Sequence, residues 1–115
     1  MLEFEVCHYA TPDGRDPFGD WLDALRDRRA VAMILLRIGR LQRGLFGDCK
    51  PVGGGVWELR VDIGPGYRVY FGRARENTVL LLCGGDKRRQ HDDITQARNY
   101  WSTYSRASGP HQGAH

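Results

Sequence analysis

Apolar and polar residues alternate strictly on both sides of a glycine-bounded break in the middle of the chain. Trp57, Leu59, Val61 and Ile63 alternate with Glu58, Arg60 and Asp62, and Tyr67, Val69 and Phe71 alternate with Arg68 and Tyr70. A period of two is the signature of a half-buried strand, so the stretch predicts a hairpin with one apolar and one polar face. Gly64-Pro65-Gly66 reads as a three-residue loop, with glycines where positive φ is needed. Such a loop sets Ile63 opposite Tyr67, Asp62 opposite Arg68, Val61 opposite Val69, Arg60 opposite Tyr70 and Leu59 opposite Phe71. A slip of one residue would scramble both faces.

The remaining pattern predicts an α+β domain. Leu2 to Tyr9 alternates as a first strand and stops at Thr11-Pro12-Asp13-Gly14. Asp16-Pro17 reads as a helix start, and Phe18, Trp21, Leu22 and Leu25 form one helical face. After Asp27-Arg28-Arg29, a second helix carries an inner stripe of Val31, Ile34, Leu35, Ile38, Leu41 and Leu45, with Gly44 as its stop. Gly53-Gly54-Gly55 belongs to a flexible loop before the hairpin. Thr78 to Cys83 is apolar on both faces, as expected of a central strand. Ile94, Ala97, Trp101 and Tyr104 give a last helix its buried stripe. The order predicts a mostly antiparallel sheet of about four strands with helices on one side. Residues 1–105 form the single domain and 106–115 read as a disordered tail.

Composition sharpens this only in part. At 115 residues with 41% hydrophobic positions, the chain is long enough for one core. Residues 1–49 hold seven Lys/Arg against eight Asp/Glu, whereas residues 50–115 hold ten against six. The positive excess sits on the half carrying the hairpin and suits a polyanionic partner. Cys7, Cys49 and Cys83 are odd in number and widely spaced, which points to a reducing, cytoplasmic setting and away from a zinc site. Cys83 reads as a small core residue. Nothing in the chain resembles a signal peptide or a membrane span. No Walker loop, dinucleotide fingerprint, GxSxG motif or metal-ligand spacing is present, so no cofactor or metal is expected.

Candidate chemistry gathers on the polar hairpin face and the basic loop that follows. Glu58, Arg60, Asp62, Arg68 and Tyr70 share the face, and a meander would bring Asp86-Lys87-Arg88-Arg89, with His91 just beyond, to the same sheet edge. Guanidinium groups match phosphate oxygens and lysine adds a point charge, so the set suits phosphate. The plainer reading of the same residues is a surface ion pair between Asp62 and Arg68, contributing about 0.2–1 kcal/mol.

The series Trp57-Glu58-Leu59-Arg60, Gly64-Pro65-Gly66-Tyr67-Arg68-Val69-Tyr70, Leu80-Leu81-Leu82-Cys83-Gly84-Gly85-Asp86-Lys87, then Gln90, Asp92-Asp93-Ile94 and Ala97 resembles the addiction-module killer proteins. These are a phage-related branch of the RelE/HigB/ParE toxin superfamily, and the resemblance covers about residues 2–104. It implies a RelE-like fold, a type II toxin, and a small cognate antitoxin, in this branch often of helix-turn-helix type. It further implies a ribosome-dependent mRNA endoribonuclease working without metal, by attack of the ribose 2′-OH on the adjacent phosphate. The alternatives are a ParE-like inhibitor of DNA gyrase and a degenerate toxin that retains antitoxin binding alone, since fold does not decide activity. Arg68 matches the strand arginine at the scissile phosphate of RelE, and Arg88 its second arginine. Arg60 and Lys87 complete the catalytic set implied. Lys50, Tyr70, Arg73, Arg89 and His91 are the implied RNA contacts. The chain departs from RelE at Trp57 and Glu58, where a lysine is absent, and at Ile94, in place of a tyrosine. Arginine stays protonated, so the base is left among Glu58, Lys87, Tyr70, His91 or a ribosomal group.

Overall fold

Two aspartates set the N-terminal helices. In the computed structural model, which describes residues 3–114 and the side-chain surroundings of residues 3–107, Asp16 caps helix α1 (Pro17–Ala24). Its Oδ1 accepts the Gly19 N–H at 3.0 Å. Asp27 caps α2 (Arg28–Gln42) by accepting from Arg29 and Ala30. Side-chain acceptors at these positions satisfy N–H groups that have no partner within the helix. α1 buries Phe18 and packs Trp21, Leu22 and Leu25 against the core, as the spacing predicts. α2 turns differently from the expected stripe. It buries Ala30, Ile34, Ile38 and Leu41, while Leu35 is half exposed (50%), Met33 and Leu36 nearly so, and Leu45, past the end of the helix, is 53% exposed. The buried set follows a cleaner 3.6-residue period than the stripe read from apolar identity alone.

The sheet has five strands in the order β1-β5-β4-β3-β2, comprising β1 (Glu5–His8), β2 (Cys49–Pro51), β3 (Val56–Val61), β4 (Tyr67–Arg75) and β5 (Thr78–Asp86). β1 lies parallel to β5, and the other three pairings are antiparallel. The architecture is therefore α+β with a mixed sheet. One strand more than expected comes from β2, three residues of the presumed loop that pair with β3. Gly53, Gly54 and Gly55 make the connecting turn, all at positive φ.

The helices occupy both faces, which corrects the one-sided arrangement expected. α1 and α2 cover Leu59, Val61, Val69, Phe71, Val79 and Leu81. Helix α3 (Gln90–Ala114) lies on the opposite face, over Val56, Tyr70, Leu80 and Leu82, with Ala97 buried and Ile94, Trp101 and Tyr104 packed beside it. A strand apolar on both faces needs cover on both sides, and β5 is that strand. The residues 108–115, most of the expected tail, have side chains outside the described set. Among the described residues no helix is long and apolar enough to cross a membrane.

The hairpin register also differs. β3 and β4 pair Val61 with Tyr67, Arg60 with Arg68, Leu59 with Val69, Glu58 with Tyr70 and Trp57 with Phe71. The ladder ends two residues earlier than a three-residue loop requires, and a shift of two leaves every side chain on its expected face. What changes is the partner: Asp62 leaves the ladder, and Arg60 takes its place opposite Arg68. Gly64 (φ 57°) and Gly66 (φ 83°) make the longer connection possible.

Candidate anion-binding site

The polar hairpin face meets the turn after β5 at one end of the sheet. Asp86 starts a 3₁₀ turn, Lys87–Arg89, by accepting the Arg88 N–H at 2.9 Å. The Lys87 N–H donates to the Gly66 carbonyl at 2.9 Å, tying this turn to the β3–β4 connection. That bond brings Lys87 alongside Arg68. Arg60, Arg68 and Lys87 then line one cleft of about 340 Å³, together with Asp48, Asp62 and the Gly64-Pro65-Gly66 backbone.

The three cations are held differently. Arg60 points to Asp48, with Nε and Nη2 at 3.3 and 3.2 Å from Oδ1, in a solvent-exposed pair. Screening by water makes such a pair easy to reorganise around an incoming anion. Arg68 is only 8% exposed. Its Nη1 donates to the Tyr67 carbonyl at 3.3 Å, and its Nε lies 3.8 Å from Glu58 Oε1. Lys87 is exposed and forms no side-chain ion pair among the described residues. Asp62, which the expected register sets opposite Arg68, makes no side-chain hydrogen bond or ion pair among the described residues.

Behind the cleft, Glu58 is fully buried. Its Oε2 accepts the Tyr70 hydroxyl at 3.1 Å and Gln90 Nε2 at 2.8 Å. Burial, then the neighbouring Glu58 carboxylate, push the Tyr70 hydroxyl far above the ordinary phenol range. Both residues were candidates for solvent-facing roles, Glu58 as base and Tyr70 as RNA contact. α3 covers them instead, so neither reaches a ligand in the cleft, and a phenol held so firmly protonated takes no proton.

The other candidates scatter. Arg88 folds back on Asp86, Nη2 to Oδ2 at 3.1 Å, with its side chain 82% exposed. Arg89 is exposed at the end of the same turn, and His91 is exposed in the first turn of α3; neither lines the cleft. Lys50 is exposed on β2, opposite Glu58 in the ladder. Arg73 is directed elsewhere: its guanidinium carbon lies 5.0 Å from the Phe4 ring centroid and 5.2 Å from that of Phe46, on the α2 side of the sheet. Sequence reasoning missed Asp48 and the bond from Gln90 to Glu58. Asp48 sits between a glycine and a cysteine in a segment without periodicity, and nothing local signals its approach to Arg60. Among the described residues, no group of His, Cys, Asp or Glu is placed to hold a metal ion.

No family model matches the chain. A Haemophilus influenzae protein described as an uncharacterized protein is 53% identical to it over 81 residues, which span 70% of this chain and 82% of that protein. The chain belongs to the same family as that Haemophilus influenzae protein.

Proposed function

We propose that the chain is the toxin of a type II toxin–antitoxin pair, with a RelE-like fold, and that it cleaves mRNA on the ribosome in the cytoplasm. The observation that carries this reading is the convergence of Arg60, Arg68 and Lys87 on one cleft. Guanidinium and ammonium groups around a cavity of this size suit a phosphodiester whose charge grows in the transition state. The ribose 2′ oxygen forms a bond to phosphorus while the bond from phosphorus to the 5′ oxygen breaks, leaving a 2′,3′-cyclic phosphate and a 5′-OH. In this reading Arg68 and Arg60 neutralise the non-bridging oxygens, and the Lys87 ammonium gives a proton to the departing 5′ oxygen. Asp62, an unpaired carboxylate of the cleft, takes the 2′-OH proton. A carboxylate is a weak base for a hydroxyl, so cleavage away from the ribosome is slow.

The same reading supplies a protein partner. α2 contains no acidic residue, and its outward side sets Met33, Leu35 and Leu36 among Arg28, Arg29, Arg40 and Arg43. An antitoxin segment that is apolar and acidic complements that surface.

Expression of the chain alone tests the function. Translation stops, and mapping of RNA 5′ ends reveals new 5′-OH termini within translated codons. Arg68→Ala abolishes both effects, and co-expression of the antitoxin restores growth. Growth arrest with intact message, relieved by a resistant gyrase, overturns the reading in favour of gyrase inhibition. A chain that is harmless when expressed alone overturns it outright.

A further inference from the structure

The buried carboxylate behind the cleft has two oxygens with separate tasks. Oε2 of Glu58 is occupied by two neutral donors, the Tyr70 hydroxyl and the Gln90 amide. Oε1 has no hydrogen-bond partner, and neither does Arg68 Nε, although both atoms are buried. Each is the other's complement, 3.8 Å away. An orphaned buried charge is costly, and the attraction between these two groups is weakly screened where water is excluded. Gln90 follows directly on the turn that carries Lys87. One carboxylate thus reaches both cationic walls of the cleft, Arg68 by charge and the Lys87 turn through Gln90.

We propose that Glu58 is the positioning residue of the anion cleft, holding the Arg68 guanidinium and the Lys87 turn at a fixed separation for a phosphate group. The inference rests on the cleft reading above for its ligand class, but not on RNA cleavage. With its Nε side facing Glu58 from behind and Nη1 on the Tyr67 carbonyl, Arg68 keeps Nη2 for the ligand. A guanidinium fixed before the ligand arrives loses less freedom on binding than a free one.

A double-mutant cycle tests this. Wild type, Glu58→Gln, Arg68→Ala and the double variant are titrated with inorganic pyrophosphate and with a labelled single-stranded RNA pentamer. Glutamine preserves the shape and can still accept from Tyr70 and Gln90, but it removes the charge facing Arg68. Glu58→Gln weakens pyrophosphate binding by about tenfold, in the range seen when a supporting partner of a ligand-binding group is lost. Arg68→Ala weakens it at least as much, and the double variant is no weaker than Arg68→Ala alone. The Arg68 Nε–H proton resonance, read by NMR without ligand, moves in Glu58→Gln and stays in place in a distant surface variant. If Glu58→Gln does not fold, Gln90→Leu, which removes one donor to Oε2, takes its place and weakens pyrophosphate binding with the Arg68 resonance displaced.

Effects of Glu58→Gln and Arg68→Ala that multiply independently overturn the positioning role. So does an unmoved Arg68 resonance. Binding of pyrophosphate but not RNA by the wild type overturns the nuclease reading and leaves the positioning role standing. A wild type that binds neither probe overturns both, because the cleft then has no anion to position.

Discussion

Asp16 shows how much can rest on one carboxylate. It caps α1 through the Gly19 N–H, and its Oδ2 lies 2.8 Å from His8 Nδ1. Burial pushes its carboxyl up, but the His8 contact and the Gly19 N–H outweigh that and hold it below the usual range. A lowered folded value contributes stability above the unfolded pKa of about 4, and that stability is lost as pH falls through the folded value. Asp16→Ala therefore lowers stability by about 1 kcal/mol near neutral pH. In denaturant titrations the gap from wild type closes as the buffer is taken well below pH ~4. Cys83 makes a second case. Burial pushes its thiol up to about 12, so in mildly alkaline buffer it resists a disulfide reagent while the chain is folded and reacts on unfolding. Asp16 and Cys83 were legible in the sequence because local context defines a cap or an apolar strand. Glu58 was not. Strand parity says which face a side chain takes, but whether that face meets water depends on α3, which begins 32 residues later in the chain.

Among the elements, the hairpin was legible to within its register. The alternation of Trp57, Leu59 and Val61 with Glu58 and Arg60 fixed the faces, since a shift by two preserves them. The loop residues could not fix the length of the connection, because Gly64 and Gly66 are compatible with more than one turn. That one ambiguity exchanged the Asp62–Arg68 pair of the plainer reading for two arginines opposite each other in the ladder, both lining the cleft. Two glycines inside strands were silent in the sequence and decisive in the packing. A Cβ on Gly72 would strike the Trp101 indole of α3, and one on Gly84 would strike Trp21 of α1, on the other face. Gly72→Ala and Gly84→Ala should each destabilise by roughly 1–3 kcal/mol, measured by chemical denaturation. The tryptophan emission separates them: a Phe residue placed at Trp101 removes the spectral change of Gly72→Ala but leaves that of Gly84→Ala.

Over the whole molecule, the positive excess of the second half resolves into a local feature, with Arg60, Arg68 and Lys87 gathered at one end of the sheet while Arg73 lies under the influence of aromatic rings on the other face. Binding of a single-stranded oligonucleotide should then depend on salt as a few contacts require, with a slope of log K against log salt of about −2 for three phosphates. A far steeper slope in salt titrations would mean that Lys50, Arg73, Arg89 and their neighbours act together as a diffuse basic surface. The expected four-strand sheet missed β2 because three residues ending in proline carry no periodic signal, and it missed the parallel contact because alternation says nothing about which strands are neighbours. That contact joins Glu5–His8 to Thr78–Leu81, the start of the domain to its penultimate element. Closing so long a span is entropically costly and slow. During synthesis, then, β1 has no strand partner until β5 has left the ribosome, and the cationic cleft cannot form before the strand that completes the sheet. A chain halted within the hairpin would carry both arginines without the Lys87 wall that faces them, so the cleft exists only once synthesis has passed β5 and the turn after it.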